Sequence, residues 1–234
     1  KGIEHHIGGG RLAQLSKSEQ SDIENDKKLQ LLSVLGQDFS MMEISYLEQI
    51  INENFEDTLR KAIRYGIIGK KHMTYSFESE SWNILHGKLS NEDKVDLHIK
   101  LAKLMQKGKF PYGIAALRGA MQYEYAGKKL SAAVLYMKSI KWNLEYYAFS
   151  PTRVMELFER TYELLKEENR LDSYSFNVLR LKFQHHTLQE VLPSLPIPTA
   201  KMPDWITVFN YAVNQKYVEC IEAANHARPR TTFE

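Results

Sequence analysis

Apolar residues recur at helical spacing from residue 29 onward. Leu29, Leu31, Leu32, Val34 and Leu35 form one face, closed by Gly36 as a C′ glycine. Asp38 or Ser40 is placed to cap a second helix in which Met41, Met42, Ile44, Leu47, Ile50 and Ile51 are the positions to bury. A third helix, 55–65, sets Phe55, Leu59, Ala62 and Ile63 on one side, leaving Arg60, Lys61 and Arg64 towards the other, and Gly66 ends it. Ile67 and Ile68, then Met73, Tyr75 and Phe77, read as two short strands around a basic tip, Gly69-Lys70-Lys71-His72.

Helix, helix, helix, hairpin is the winged version of the helix-turn-helix layout. After it, Trp82, Ile84, Leu85 and Leu89 follow mixed helical and irregular spacing. Ser90, with Asp93 three residues on, predicts the start of a long helix whose apolar positions are Val95, Leu97, Ile99, Leu101, Ala102, Leu104 and Met105. Lys107-Gly108-Lys109-Phe110-Pro111 stops that helix, so a domain boundary is expected near residue 108.

Downstream, the pattern predicts helical hairpins. Residues 112–126 make a helix rich in small residues (Ala115, Ala116, Gly119, Ala120), Gly127 turns the chain, and residues 130–147 make its partner. Ala120 and Tyr123 precede Gly127 by seven and four positions, while Ala132, Tyr136 and Ser139 follow it by five, nine and twelve. That spacing resembles a tetratricopeptide repeat, in which small residues admit close helix approach and aromatics fill the gaps. A more degenerate pair spans 151–165 and 171–191. The four prolines of residues 193–203 predict an extended connector, and Asp204 then caps a last helical pair up to residue 227.

Residues 1–28 carry few apolar positions and are expected to be a linker or a frayed connecting helix. The expected fold class is therefore mostly α: a winged helix at 29–107 followed by a TPR-like helical-repeat domain at 108–234. At 234 residues, with 43% apolar and 26% charged side chains, the chain can bury a substantial core and carries no bias towards disorder. A net charge of +2 does not argue for a nucleic-acid footprint. Cys220 is the single cysteine and reads as a small buried hydrophobe, which favours a reducing, cytoplasmic setting. No apolar run approaches the ~18 residues a membrane span needs, so a soluble protein without membrane partners is expected. The opening Lys1 suggests a piece of a longer polypeptide.

Catalytic signatures are missing from this sequence. The glycine cluster Gly8 to Gly10 follows no strand and lacks the lysine of a phosphate loop, no nucleophile-elbow serine occurs, and neither His5-His6 nor His185-His186 has further ligands at metal spacing. No catalytic, cofactor-binding or metal-binding residue is therefore assigned. Glu43, Glu48, Glu53, Glu56 and Asp57 read as solvated helix faces. The aromatics Tyr123, Tyr125, Tyr136, Trp142, Tyr146 and Tyr147 read as repeat core and groove lining. Arg60, Lys61, Arg64, Lys70 and Lys71, with His72, stand where a DNA-reading winged helix places phosphate contacts. Against that alternative, Glu53, Glu56 and Asp57 put negative charge at the start of the same helix.

In order and spacing, Val34-Leu35-Gly36 with Phe39, Gly66-Ile67-Ile68, Phe77, and Leu97-His98 with Ala102 resemble the winged-helix segment that follows the nucleotide-binding core of STAND-class signalling ATPases. That group includes large LuxR-type regulators and ATPase modules fused to adenylyl cyclases. The similarity covers about residues 29–107, and helical repeats are the family's usual next module. Where such segments often carry a histidine two residues after the strand phenylalanine, this chain has Phe77-Glu78-Ser79. The resemblance implies a regulatory, non-catalytic role without cofactors of its own: repeats receive a protein partner or small inducer, and the winged helix relays the event to an upstream nucleotide-binding domain. Tyr123, Tyr136, Trp142 and Tyr146 are then the expected groove residues.

Overall fold

Local capping sets where the chain turns. The computed structural model describes residues 11–108, 111–146, 150–171 and 173–187. These residues are mostly helical, with one small three-stranded antiparallel sheet. The chain divides into two compact units, Lys1–Phe110 with Met121–Gly127, and Pro111–Ala120 with Lys128–Glu234.

The first unit opens with a 3₁₀ turn, Arg11–Gln14, and helix α1, Lys17–Glu24. Ser16 and Glu19 close a capping box at its start. Asp26 accepts hydrogen bonds from the amides of Lys28 and Leu29 and so starts α2, Lys27–Leu32. A 3₁₀ turn, Ser33–Leu35, follows, ended by Gly36 at φ +101°, a value that a side chain would strain. Strand β1 is Asp38–Ser40, and Ser40 with Glu43 forms the capping box of α3, Met41–Ile51. Helix α4 is Glu56–Arg64, and the hairpin consists of β2, Ile68–Lys71, and β3, Thr74–Phe77. Glu78 caps α5, Ser79–Lys88, and Ser90 caps α6, Asn91–Lys107.

The strand order is β1-β3-β2, with Phe39 opposite Tyr75 and Ile68 opposite Phe77. Alternation puts Phe39, Tyr75, Phe77 and Ile68 into the core while Thr74 and Ser76 face water. The Phe39 ring stacks on Tyr75 at 5.6 Å and meets Phe77 at 5.4 Å.

Several expectations for this unit change: Met41 and Met42, whose spacing predicts burial, stand exposed at the start of α3, and Glu43, read as a solvated face, is buried. Residues 11–24 are not a linker: Leu12 and Ile23 are fully buried in the same cluster as Leu29, Leu47, Phe55, Leu85 and Leu101. One apolar residue per short helix is too sparse a pattern to show periodicity. Residues 38–40 pair as a strand as well as capping a helix, through bonds to β3 that are remote in sequence. The hairpin tip is also narrower than expected. Lys71 pairs with Thr74, so Gly69, Lys70 and Lys71 belong to β2 and the turn is His72-Met73, with His72 left-handed at φ 55°.

The second unit takes the first part of α7, Tyr112–Tyr125, and then α8, Lys129–Tyr146, α9, Pro151–Glu167, and α10, Tyr174–Thr187. Gly127, at φ +69°, makes the turn before α8. Ser150 caps α9, with Pro151 at its first position, where a missing amide hydrogen costs nothing. Helix α8 packs against α9 and α10. An ion pair of 2.7 Å between Lys129 and Glu167 joins the start of α8 to the end of α9. Phe158 centres the core, 6.1 Å from Phe176 and 5.6 Å from Phe183, the latter contact edge-on. The proline-bearing connector at 193–203, the last helical pair at 204–227, Cys220, Tyr147, His5, His6 and the Gly8 to Gly10 cluster lie outside the described residues.

Candidate functional site

The first unit holds a buried polar junction around the 3₁₀ turn Ser33–Leu35. Its polar groups are bonded in several directions. The Ser33 hydroxyl donates to the Gln30 carbonyl at 2.5 Å, Trp82 Nε1 donates to the Ser33 carbonyl at 2.9 Å, and Gln122 Nε2 donates to the Leu35 carbonyl at 3.4 Å. Gln122 Oε1 then lies 2.7 Å from His98 Nδ1. With its amide nitrogen committed to Leu35, Gln122 offers His98 an acceptor, so His98 Nδ1 carries the hydrogen. Ser33, His98 and Gln122 are all buried.

Aromatic rings continue the junction. Trp82 stacks on His86, one helical turn away in α5, at 5.1 Å; His86 lies 6.0 Å from His98, and His98 5.3 Å from Tyr125. The Ser33 hydroxyl is 3.4 Å from His86 Nδ1. Elements separated by up to 87 positions in sequence thus share one hydrogen-bonded set.

Both imidazoles are held neutral. Burial pushes His86 down to about 4, with the charge of Lys94 and then the competing protonation of His98 acting the same way and the Ser33 backbone opposing. Burial also lowers His98; the Gln122 bond opposes this and Lys94 adds to it. Below the ordinary histidine value of 6.5, the unfolded chain binds protons that folded His86 refuses until about pH 4, so stability falls as pH drops through that window. Moving from pH 7 to pH 5 should cost about 1–2 kcal/mol, allowing for the partial exposure of His86. Urea unfolding at the two values measures it, and His86→Leu should flatten the difference; an unchanged midpoint in the parent chain would show that the ring is not held neutral. The carboxyls of Glu19 and Glu78 are held below 4.5, so they add to acid sensitivity only at lower pH.

The five basic residues expected on the third helix and wing differ in their surroundings. Arg60 is bound to Glu56 on the same exposed face, and Lys61 lies 3.8 Å from Asp26. Arg64 and Lys71 are exposed, while Lys70 stands over the Tyr75 ring at 5.5 Å. Two of the five thus already face carboxylates.

Of the expected groove residues, Tyr123 is half-buried in the Met121–Gly127 segment of the first unit, and the other three belong to the second. Tyr136 is 5% exposed and serves as core. Trp142 and Tyr146 meet at 5.3 Å, with Tyr146 largely exposed. His185 and His186 fall in α10. Among the described residues, no group of three or more His, Cys, Asp or Glu side chains is placed to hold a metal ion. No helix of those residues is long and apolar enough to cross a membrane.

In the sequence, His98 stands out only within the Leu97-His98 motif and Trp82 only as an apolar position, while Ser33, His86 and Gln122 are not singled out. Trp82 and His86 share a helix face at i, i+4, which was the one available signal. The reach of Gln122 to Leu35 has no local signature. Comparison with protein-family models, with curated proteins and with solved structures finds no match.

Proposed function

We propose that this chain is a non-catalytic regulatory and scaffolding part of a STAND-class signalling-ATPase-type protein. Residues 29–107 act as a winged-helix coupling element and residues 108–234 as TPR-like repeats that receive a protein partner or small inducer. The order helix, strand, helix, helix, hairpin and the strand order β1-β3-β2 support the winged-helix reading. The observation that carries the coupling role is Gln122. It lies near the end of α7, a helix divided between the two units, yet its side chain is buried against Leu35 and His98 at the heart of the first. A buried amide bonded at both its oxygen and its nitrogen transmits displacement because breaking those bonds leaves unpaired groups, at a cost of about 1–3 kcal/mol each.

The coding sequence upstream of Lys1 is the first test: a phosphate-loop ATPase there supports the proposal, and its absence overturns it. In a polypeptide that includes such a core, Gln122→Leu should change basal nucleotide hydrolysis at least about threefold, equivalent to ~0.65 kcal/mol, without any contact to nucleotide. Unchanged turnover in a folded variant would remove Gln122 from the relay.

A further inference from the structure

Three of the eight methionines stand exposed at one end of the small sheet. Met41 is 46% exposed, Met42 37% and Met73 73%. The register brings them to one place. The β1–β3 register ends with Ser40 opposite Thr74, so Met41, the first residue of α3, and Met73, in the hairpin turn, both adjoin that last pair, with Met42 next in the helix. The Tyr75 hydroxyl reaches Met41 Sδ at 3.9 Å, tying the sheet to the first turn of the helix. Alongside lie Lys70, Lys71 and His72, all exposed, and no acidic residue occurs from 69 to 74.

We infer that the methionine edge Met41–Met42–Met73, rimmed by Lys70 and Lys71, is a docking surface for an acidic amphipathic segment of a partner protein. Unbranched thioethers adapt to varied apolar anchors, and charge complementarity from the two lysines selects a segment that carries carboxylates beside those anchors. Nucleic acid fits less well, because its phosphates could pair with the two lysines but would leave the three thioethers without apolar partners. The start of α3 offers no vacant anion site either: Glu43 accepts from the Ser40 amide and hydroxyl, and that hydroxyl accepts from the Glu43 amide. A lipid surface fits poorly too, since the patch lacks the large aromatic and leucine anchors that hold a protein in a bilayer interface.

The inference rests on reading residues 29–107 as a protein-contacting element. Its test uses this 234-residue chain alone, so its failure is separable from a missing upstream ATPase. The chain is labelled with ¹³C at the methionine methyls and titrated with a helical peptide bearing leucine and tryptophan on one face and glutamate on the other. The methyls of Met41, Met42 and Met73 should shift while that of the buried Met105, the folding control, stays in place. Replacing Lys70 and Lys71 together by glutamate should weaken the response about tenfold or more. Three outcomes would overturn the inference: no shift at millimolar peptide, an equal response to the same peptide with lysine in place of glutamate, or equal shifts with a DNA duplex or phosphatidylglycerol vesicles.

Discussion

Ile23→Ala should destabilise the first unit by about 2–4 kcal/mol, the cost of a large core truncation. The residue is fully buried, in a helix of eight residues that packs against α2 and α5. An ion pair of 3.3 Å between Glu24 and Lys88 lies at the same contact, but both partners are partly exposed and it adds little. A residue in a frayed linker would change stability by no more than about 0.5 kcal/mol, so the two descriptions of residues 11–24 differ severalfold in expected effect. Hydrogen exchange resolved by segment is the suitable measurement, because two units need not unfold together. Faster exchange in α2, α5 and α6 would show a loss shared through one core. Acceleration confined to α1 would mean that the segment is an appendage. Ser21→Ala, on the exposed side of the same helix, is the matched control.

Gly113→Ala reverses the ordinary preference of a helix for alanine. In an unencumbered helix that change gains about 1 kcal/mol. Here a Cβ on Gly113 would sit 2.1 Å from Trp142 Cε3 and 2.4 Å from its Cδ2, inside an indole that cannot fold away as a flexible chain end would. The variant should lose about 2–3 kcal/mol from the second unit, in the range of overpacked cores. In a Trp142→Ala background the same substitution should become neutral or stabilising, giving a coupling of at least ~2 kcal/mol. Urea unfolding of the four chains closes the cycle. A stabilising Gly113→Ala in the parent chain would show that α7 and α8 stand farther apart.

The difference between these two cases shows what could be read in advance. Ala115, Ala116, Ala120 and Ala132 are small residues at helical spacing, and all are buried, as their pattern suggested. The cap at Ser90 was equally legible, because a hydroxyl three residues before a carboxylate is a local device that acts within one turn; for α3 the sequence left Asp38 and Ser40 open, and the cap is Ser40. Nothing local marked residues 38–40 as a strand or Leu12 and Ile23 as core. Each depends on which partner arrives from elsewhere in the chain.

The methionines and the His98 junction divide along the same line. Helical periodicity, strand alternation and turn chemistry are properties of neighbouring residues, and they were sufficient to derive a mostly helical chain with a hairpin after its third apolar helix. The burial of Gln122 against Leu35, the neutrality of His86 and the approach of the Tyr75 hydroxyl to Met41 are properties of residues far apart in sequence. Backbone pairing and close packing bring those groups together, and the same packing excludes the water that would otherwise leave the imidazoles near their ordinary protonation.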